Sequence, residues 1–358
     1  MIIHMARDAS EASLERVLQR IDQAGFHADI IRGETGINVI GVLGDTSSAE
    51  TSYFEELEDV VRVTRITKPY KRVLRKTAEN QNTVIVGDVT VGGGPPAIIA
   101  GPCSVESREQ VMAVAEYVAG CGIGMLRGGA YKPRTSPYSF QGMGRAGLEL
   151  LAEARETFGL KIVTEATGMH HHGLEDGALE DKPVLDNIIE YADVIQIGAR
   201  NMKAYGLLQE LARRTRETHT PVLLKRGESS TLKDFMLAAE YIVTHGNPNV
   251  ILCLRGIRAF EDQELQRYTP DLGAIPVLKQ ECNLPVLFDP SHSTGCRERV
   301  LPVSLAAIAA GADGVIIETH HDPSNALCDG EQCVSAGQLQ EIVTAVNKLH
   351  GCLAAASS

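Results

Sequence analysis

The sequence has no run of about eighteen uncharged apolar residues, so nothing in it reads as a membrane-crossing helix. Its opening, MIIHMARDAS, lacks the basic region and long apolar core of a secretory signal peptide. The eight cysteines include no C-x-x-C pair, which removes zinc-ribbon and thioredoxin-like motifs. Eight thiols spread over 358 residues are not a disulfide framework either, and the expected setting is reducing and cytoplasmic. There is no excess of basic residues. The net charge is -12, which excludes a broad nucleic-acid-binding face and requires any anionic ligand to meet a local basic pocket. Finally, no G-x-G-x-x-G opens a helix, as a nucleotide-binding doubly wound sheet would usually require.

What is present suggests a small domain followed by a large one. Met1–Met5 reads as a strand, and Ser10–Ala24 as a helix with Leu14, Val17, Leu18 and Ile21 on one face. HADIIRGE and GINVIGVLG read as two strands, Ser47–Leu57 as a helix and VVRVTRI as a closing strand. The order βαββαβ predicts a ferredoxin-like α+β domain over residues 1–72. The polar, basic stretch YKRVLRKTAENQN (Tyr70–Asn82) suits a linker, with residues 73–82 as its body. TVIVGDVTVGGG then alternates valines around Gly87-Asp88 and predicts a hairpin.

From Ala97 one unit recurs: a short apolar strand, a polar loop and an amphipathic helix. The strands are AIIAGPC, MLRGGA, KIVTEA, DVIQIGAR, PVLLKRG, NVILCLRG, PVLFDPSH and GVIIETHH. Eight such units predict a (β/α)8 TIM barrel over residues 83–350, followed by a tail at 351–358. Barrel chemistry sits at the C-terminal strand ends, and there the polar residues collect. In order they are Cys103; Arg127, Lys132 and Arg134; Glu165; Gln196 and Arg200; Lys225 and Arg226; Arg255; Asp289 and His292; and Glu318, His320 and His321.

Two chemistries separate. Cys103, His292, Glu318 and, in the last loop, Asp329 combine a thiolate, an imidazole and two carboxylates, a set suited to one divalent ion such as Mn, Fe, Co or Zn. Residue types alone leave open a plainer reading: a buried thiol, a helix-capping carboxylate and surface histidines. Arg127, Lys132, Arg134, Arg200, Lys225 and Arg255 form a cationic set that would repel itself in an empty pocket, so the ligands should bring several negative charges. Ion pairing of individual members with Asp or Glu is the alternative.

LRGGAYKPRTSPYSFQGMG (Leu126–Gly144) resembles the signature of 3-deoxy-D-arabino-heptulosonate 7-phosphate (DAHP) synthases. AGPCSVES, IQIGARNMK, LLKRGESST, ILCLRGIRAFE and FDPSHSTG are similar to the same family in the same order. The branch it resembles most carries an N-terminal ferredoxin-like domain. The resemblance implies metal-dependent condensation of phosphoenolpyruvate with erythrose 4-phosphate, opening the shikimate pathway. It implies that Cys103, His292, Glu318 and Asp329 hold the metal, and that Arg127, Lys132, Arg200, Lys225 and Arg255 hold phosphoenolpyruvate, with Gln196 beside them. It further implies that Arg134, Thr135 and Ser136, on a turn shaped by Pro133, take the aldose phosphate, and that Asp289 contacts a sugar hydroxyl. Lys132 is the expected proton donor, assisted by Glu165. A homo-tetramer or dimer and an aromatic amino acid effector are further implications, with docking of a separate chorismate mutase left open.

Three features add to or depart from the pattern. Leu254 stands where many relatives have Glu before Arg-Gly, which puts in question whether the site is tuned alike. Residues 167–187 look like an insertion carrying three consecutive histidines. Cys328 directly precedes Asp329, leaving open both an oxidative off-switch through a bond to Cys103 and an inert neighbour. The nearest rival is 3-deoxy-D-manno-octulosonate 8-phosphate synthase, whose aldose loop resembles Lys-Ala-Asn-Arg rather than the Lys132-Pro133-Arg134 found here. A non-catalytic phosphometabolite sensor is the alternative of another class.

Overall fold

The computed structural model describes residues 1–358 except 7, 33–37, 45, 47–48, 66–68, 78–79, 133–137, 169–182, 261–264 and 357–358. The chain divides into two compact units, Met1–Pro69 and Tyr70–Ser358.

The first unit is a four-stranded antiparallel sheet of β1 (Ile2–Met5), β2 (His27–Arg32), β3 (Asn38–Leu43) and β4 (Val60–Thr64), in the order β2-β3-β1-β4. A helix at Glu11–Gln23 follows β1. Ser10 caps it by accepting the Ser13 N–H, and Leu14, Val17 and Ile21 bury its apolar face with Ile3, Ile40 and Phe54. The second helix is shorter than the sequence predicts, covering only Ser52–Glu55. This is the ferredoxin-like arrangement.

The second unit opens on the predicted hairpin, β5 (Val84–Val86) and β6 (Val89–Val91), turning at Gly87 with φ +61°. Eight strands follow: β7 (Ala97–Gly101), β8 (Met125–Arg127), β9 (Lys161–Ala166), β10 (Val194–Ile197), β11 (Val222–Lys225), β12 (Val250–Leu254), β13 (Val286–Phe288) and β14 (Gly314–Glu318). Each pairs in parallel with the next, and β14 closes on β7. This is the expected (β/α)8 barrel.

Alternation along the strands builds two apolar layers. Ile99, Met125, Val163, Leu223, Ile251, Leu287 and Ile316 fill the barrel interior, plugged by Val84, Val86 and Val91 of the hairpin. Ala100, Leu126, Ile162, Leu224, Leu252, Phe288 and Ile317 face the surrounding helices. Local signals set the helix ends. Ser107 caps Arg108–Gly120, Thr231 and Asp234 form a capping box at Leu232–Thr244, and Gly159 ends Arg145–Phe158 in the left-handed region.

Two polar segments behave differently from their composition. Val73, read as linker, is fully buried against the barrel, Leu74 bridges Cys282, and Glu240 accepts the backbone N–H groups of Lys71, Arg72 and Val73. The stretch read as a tail from residue 351 continues the final helix, Ala336–Ala356. Among the described residues, no helix is long and apolar enough to cross a membrane.

Candidate active site

The C-terminal ends of the strands surround a cavity of ≈ 290 Å³. Arg127, Lys132, Glu165, Gln196, Arg200, Lys225, Arg255, His292 and Asp329 line it, so nine of the residues expected there converge. Pro133, Arg134, Thr135 and Ser136 lie outside the described residues.

The cationic wall is buried. Arg127 emerges from β8 at 4 % exposure, with Nη2 3.0 Å from Glu318 Oε1. Its Nε and Nη1 make no hydrogen bond among the described residues. The Nη1 of Arg255 is likewise unbonded there, 3.8 Å from Glu228, while the guanidinium lies 4.3 Å over the Tyr268 ring. Buried donors without acceptors cost about 1–3 kcal/mol each, more when charged, so such a wall is arranged for an anion. Arg226 is different: it pairs with Asp271 at 2.7 Å and Ser230 O at 3.0 Å and serves the fold.

Lys132 donates to Cys103 O at 3.0 Å and lies 3.2 Å from Cys103 Sγ. Burial lowers its affinity for a proton, but Cys103, Cys328 and Glu165 outweigh that and the net shift is upward, so Lys132 is an ammonium. Glu165 accepts from Gln196 Nε2 at 3.2 Å, and Gly198 leaves room for it: a β-carbon there would stand 2.0 Å from Glu165 Oε1.

The metal-competent residues form two overlapping groups that share Asp329: Cys103, Cys328 and Asp329, and His292, Glu318 and Asp329. Within each group the donor atoms lie within 4.8 Å of one another. Asp329 has φ +54°, which turns its carboxylate toward Cys103 Sγ at 3.2 Å. His292 Nε2 faces Glu318 Oε1 at 3.4 Å, and that buried oxygen makes no hydrogen bond among the described residues. A buried carboxylate oxygen beside an imidazole nitrogen and a second carboxylate, which itself meets a thiol, fits a divalent ion by its donor chemistry. The Cys103 thiol is shifted upward by the hydrogen bond it donates to Cys328, by burial and by Glu318, so a cation would bind there with loss of a proton. The two sulfurs are 3.2 Å apart.

Asp289 lies below the cavity wall. It is fully buried, accepts from Lys225 Nζ at 2.5 Å and from His292 N and Nδ1 at 2.9 and 2.8 Å, and caps the short helix Pro290–Thr294. Its carboxylate holds His292 and Lys225 in place beneath the cavity. The bond to Nδ1 leaves Nε2 as the outward-facing nitrogen of His292.

The matched families agree with this geometry. Residues 72–354 match the DAHP synthetase I family, and residues 1–68 match the DAHP synthase ferredoxin-like domain. The chain belongs to the DAHP synthase family. It is 44% identical, over 98% of its length and 97% of the relative's, to a phospho-2-dehydro-3-deoxyheptonate aldolase of Thermotoga maritima. The crystal structure of a Thermotoga maritima DAHP synthase superposes with a TM-score of 0.74 at 43% identity, covering 98% of this chain and 97% of that one. A 2-dehydro-3-deoxyphosphooctonate aldolase of Desulfosudis oleivorans is 28% identical over 74% of the chain and 94% of that relative. The protein is therefore an enzyme of the DAHP synthase class with a ferredoxin-like extension.

Leu254 has no place in the site. It points outward into the barrel–helix layer at 1 % exposure, and its neighbour Arg255 faces the cavity. Of the 167–187 stretch, residues 169–182 lie outside the described set, and a helix at Val184–Tyr191 begins near its end. Sequence reasoning missed Glu228, Arg267, Tyr268 and Gln332. Glu228 sits in the quoted LLKRGESST motif; the other three lie on loops beyond the strand ends, and only Gln332, three residues after Asp329, had a positional cue.

Proposed function

We propose that this enzyme condenses phosphoenolpyruvate with erythrose 4-phosphate and water to give DAHP and phosphate, using one divalent first-row metal ion held by Cys103, His292, Glu318 and Asp329. The observation that carries the reading is the juxtaposition, at one cavity, of unbonded buried guanidinium N–H groups with His292 and Asp329, around which the other donors cluster. Bound there, the metal would supply Lewis-acid polarisation of the aldehyde carbonyl.

The chain's own residues account for the rest. Arg127 and Arg255 offer their unbonded N–H groups to the phosphate and carboxylate of phosphoenolpyruvate, with Lys225 and Arg200 completing the charge. Arg134, Thr135 and Ser136, on the turn at Pro133, take the aldose phosphate. The methylene carbon of phosphoenolpyruvate attacks the aldehyde carbon, and Lys132 gives its proton to the aldehyde oxygen as charge develops. Water adds at the neighbouring carbon, which carries the phosphate ester oxygen; Glu165 takes the proton the water sheds, and that carbon's C–O bond to phosphate breaks. The N-terminal unit is assigned feedback control by an aromatic amino acid, in a cytoplasmic homo-oligomer.

The test is consumption of phosphoenolpyruvate by chelated protein, with Mn²⁺ restored, offered erythrose 4-phosphate or arabinose 5-phosphate. Metal-dependent loss with erythrose 4-phosphate alone is expected; loss with arabinose 5-phosphate would transfer the enzyme to the octulosonate reaction. In the same assay Lys132→Met should nearly abolish turnover with modest loss of phosphoenolpyruvate binding, and unchanged turnover would remove Lys132 from the proton step.

A further inference from the structure

Two residues outside the donor set hold the far oxygens of both its carboxylates. Gln332, 1 % exposed, donates its Nε2 to Glu318 Oε2. Its Oε1 accepts from Arg267 Nη1 at 2.5 Å, and the same Nη1 lies 3.4 Å from Asp329 Oδ1. The other oxygens face the remaining donors: Glu318 Oε1, ion-paired with Arg127 Nη2 at 3.0 Å, lies 3.4 Å from His292 Nε2, and Asp329 Oδ2 lies 3.2 Å from Cys103 Sγ.

The backbone keeps this register. The chain turns at Asp329, and Gln332 N donates back to Asp329 O at 3.3 Å. Val334 N then donates to Glu318 O at 2.9 Å, pinning the returning segment to the end of β14. A β-carbon at Gly330 would meet Pro323 O at 2.3 Å, so the turn is tight on its other side too. Arg267 is fixed from outside the clamp by its neighbour Tyr268, whose N–H donates to Ser293 O at 3.0 Å and whose ring also lies under Arg255.

We infer that Arg267 and Gln332 are positioning residues: a clamp that fixes which oxygen of Glu318 and which oxygen of Asp329 is presented to a divalent cation. The inference rests on the proposed metal site. An amide is suited to the task because it offers a donor to a carboxylate and an acceptor to a guanidinium without adding charge. Outer partners of this kind typically contribute 10–100-fold to metal affinity.

The experiment titrates chelated full-length protein with Cd²⁺, read by thiolate-to-metal absorption, and with Mn²⁺, read by paramagnetic resonance. Gln332→Ala and Arg267→Met should bind each ion 10–100-fold more weakly, and the double variant should lose little more than the worse single one. Gln332→Glu should be at least as weak as Gln332→Ala, because it sets a carboxylate against Glu318. Arg267→Lys, which keeps one donor, should recover part of the loss. Phosphoenolpyruvate binding to the chelated Gln332→Ala protein should be unchanged, which a general collapse of the site would not allow. Wild-type affinity in the variants, or losses that simply add, would overturn the clamp while leaving the metal site standing. A wild-type protein that binds neither ion would overturn the metal site and the clamp together. Should Gln332→Ala fail to fold, the Arg267 variants decide, since that side chain is 37% exposed and its loss leaves no buried void.

Discussion

Replacing Asp289 by Ala is the sharpest test of how the site is supported. The carboxylate is fully buried and is paired with Lys225, which is itself 4 % exposed. Removing it leaves an ammonium without its counter-charge, and breaking one side of a buried ion pair costs about 3–5 kcal/mol. The same carboxylate accepts the His292 N–H as a helix cap, worth about 1 kcal/mol. The expected loss is therefore about 4–6 kcal/mol, a large share of the roughly 5–15 kcal/mol that keeps a domain folded. Asp289→Asn keeps an acceptor for the cap but not the charge, and should cost less than Asp289→Ala. Lys225→Met combined with Asp289→Ala removes the stranded charge and should recover part of the loss. The chain has no tryptophan, so urea unfolding is best followed by far-ultraviolet circular dichroism. An Asp289→Ala protein within about 1 kcal/mol of wild type would refute the argument, because the buried Lys225 would then have to be neutral or hydrated.

Three further outcomes are expected. Gly198→Ala would place a methyl group 2.0 Å from Glu165 Oε1, so Glu165 must swing away; turnover should fall while the fold is kept, and normal turnover would show that Glu165 works from elsewhere. Glu106 ties the Cys328–Asp329 loop down by accepting the Leu327 N–H at 3.0 Å. Burial pushes its carboxyl up, but His320, that N–H and Ser104 outweigh it and the net shift is down. Its contribution is thus complete above the ordinary glutamate pKa of about 4.3 and is lost as pH falls through the lower folded value. Glu106→Gln should flatten the acid limb of stability against pH, and an unaltered limb would exclude Glu106 as its source. Lastly, deletion of residues 1–69 should leave a folded, active barrel, whereas deletion to 76 also removes fully buried Val73 and should lower the urea midpoint. Burial of a valine side chain is worth about 1.5–3 kcal/mol, and equal midpoints would show that Val73 does not pack as described.

The barrel was legible because a local signature recurs: a short apolar strand, polar or metal-competent groups at its C-terminal end, then an amphipathic helix. Convergence of Cys103, Arg127, Glu165, Lys225, Arg255, His292 and Glu318 on one end follows from that repeat, since parallel strands in a closed barrel bring equivalent ends together. The side-chain direction of a single residue was less accessible. Leu254 was suspected of altering the site because it stands where many relatives have Glu before Arg-Gly. Period-two alternation sends the two to opposite faces, and only the observed pairing of Leu254 with Phe288 shows which face is which.

What the sequence determined by itself is the architecture, the family and the inventory of charged groups, because these depend on periodicity and on residue types at strand ends. What the tertiary structure alone decided is how those groups are paired. It put Asp289 under Lys225 and His292, bound Val73 to the barrel, and brought Arg267 and Gln332 from separate segments onto the carboxylates of Glu318 and Asp329. A loop's path over a barrel mouth is set by contacts between residues distant in the chain, such as the 62 positions between Arg267 and Asp329, and no local pattern records them.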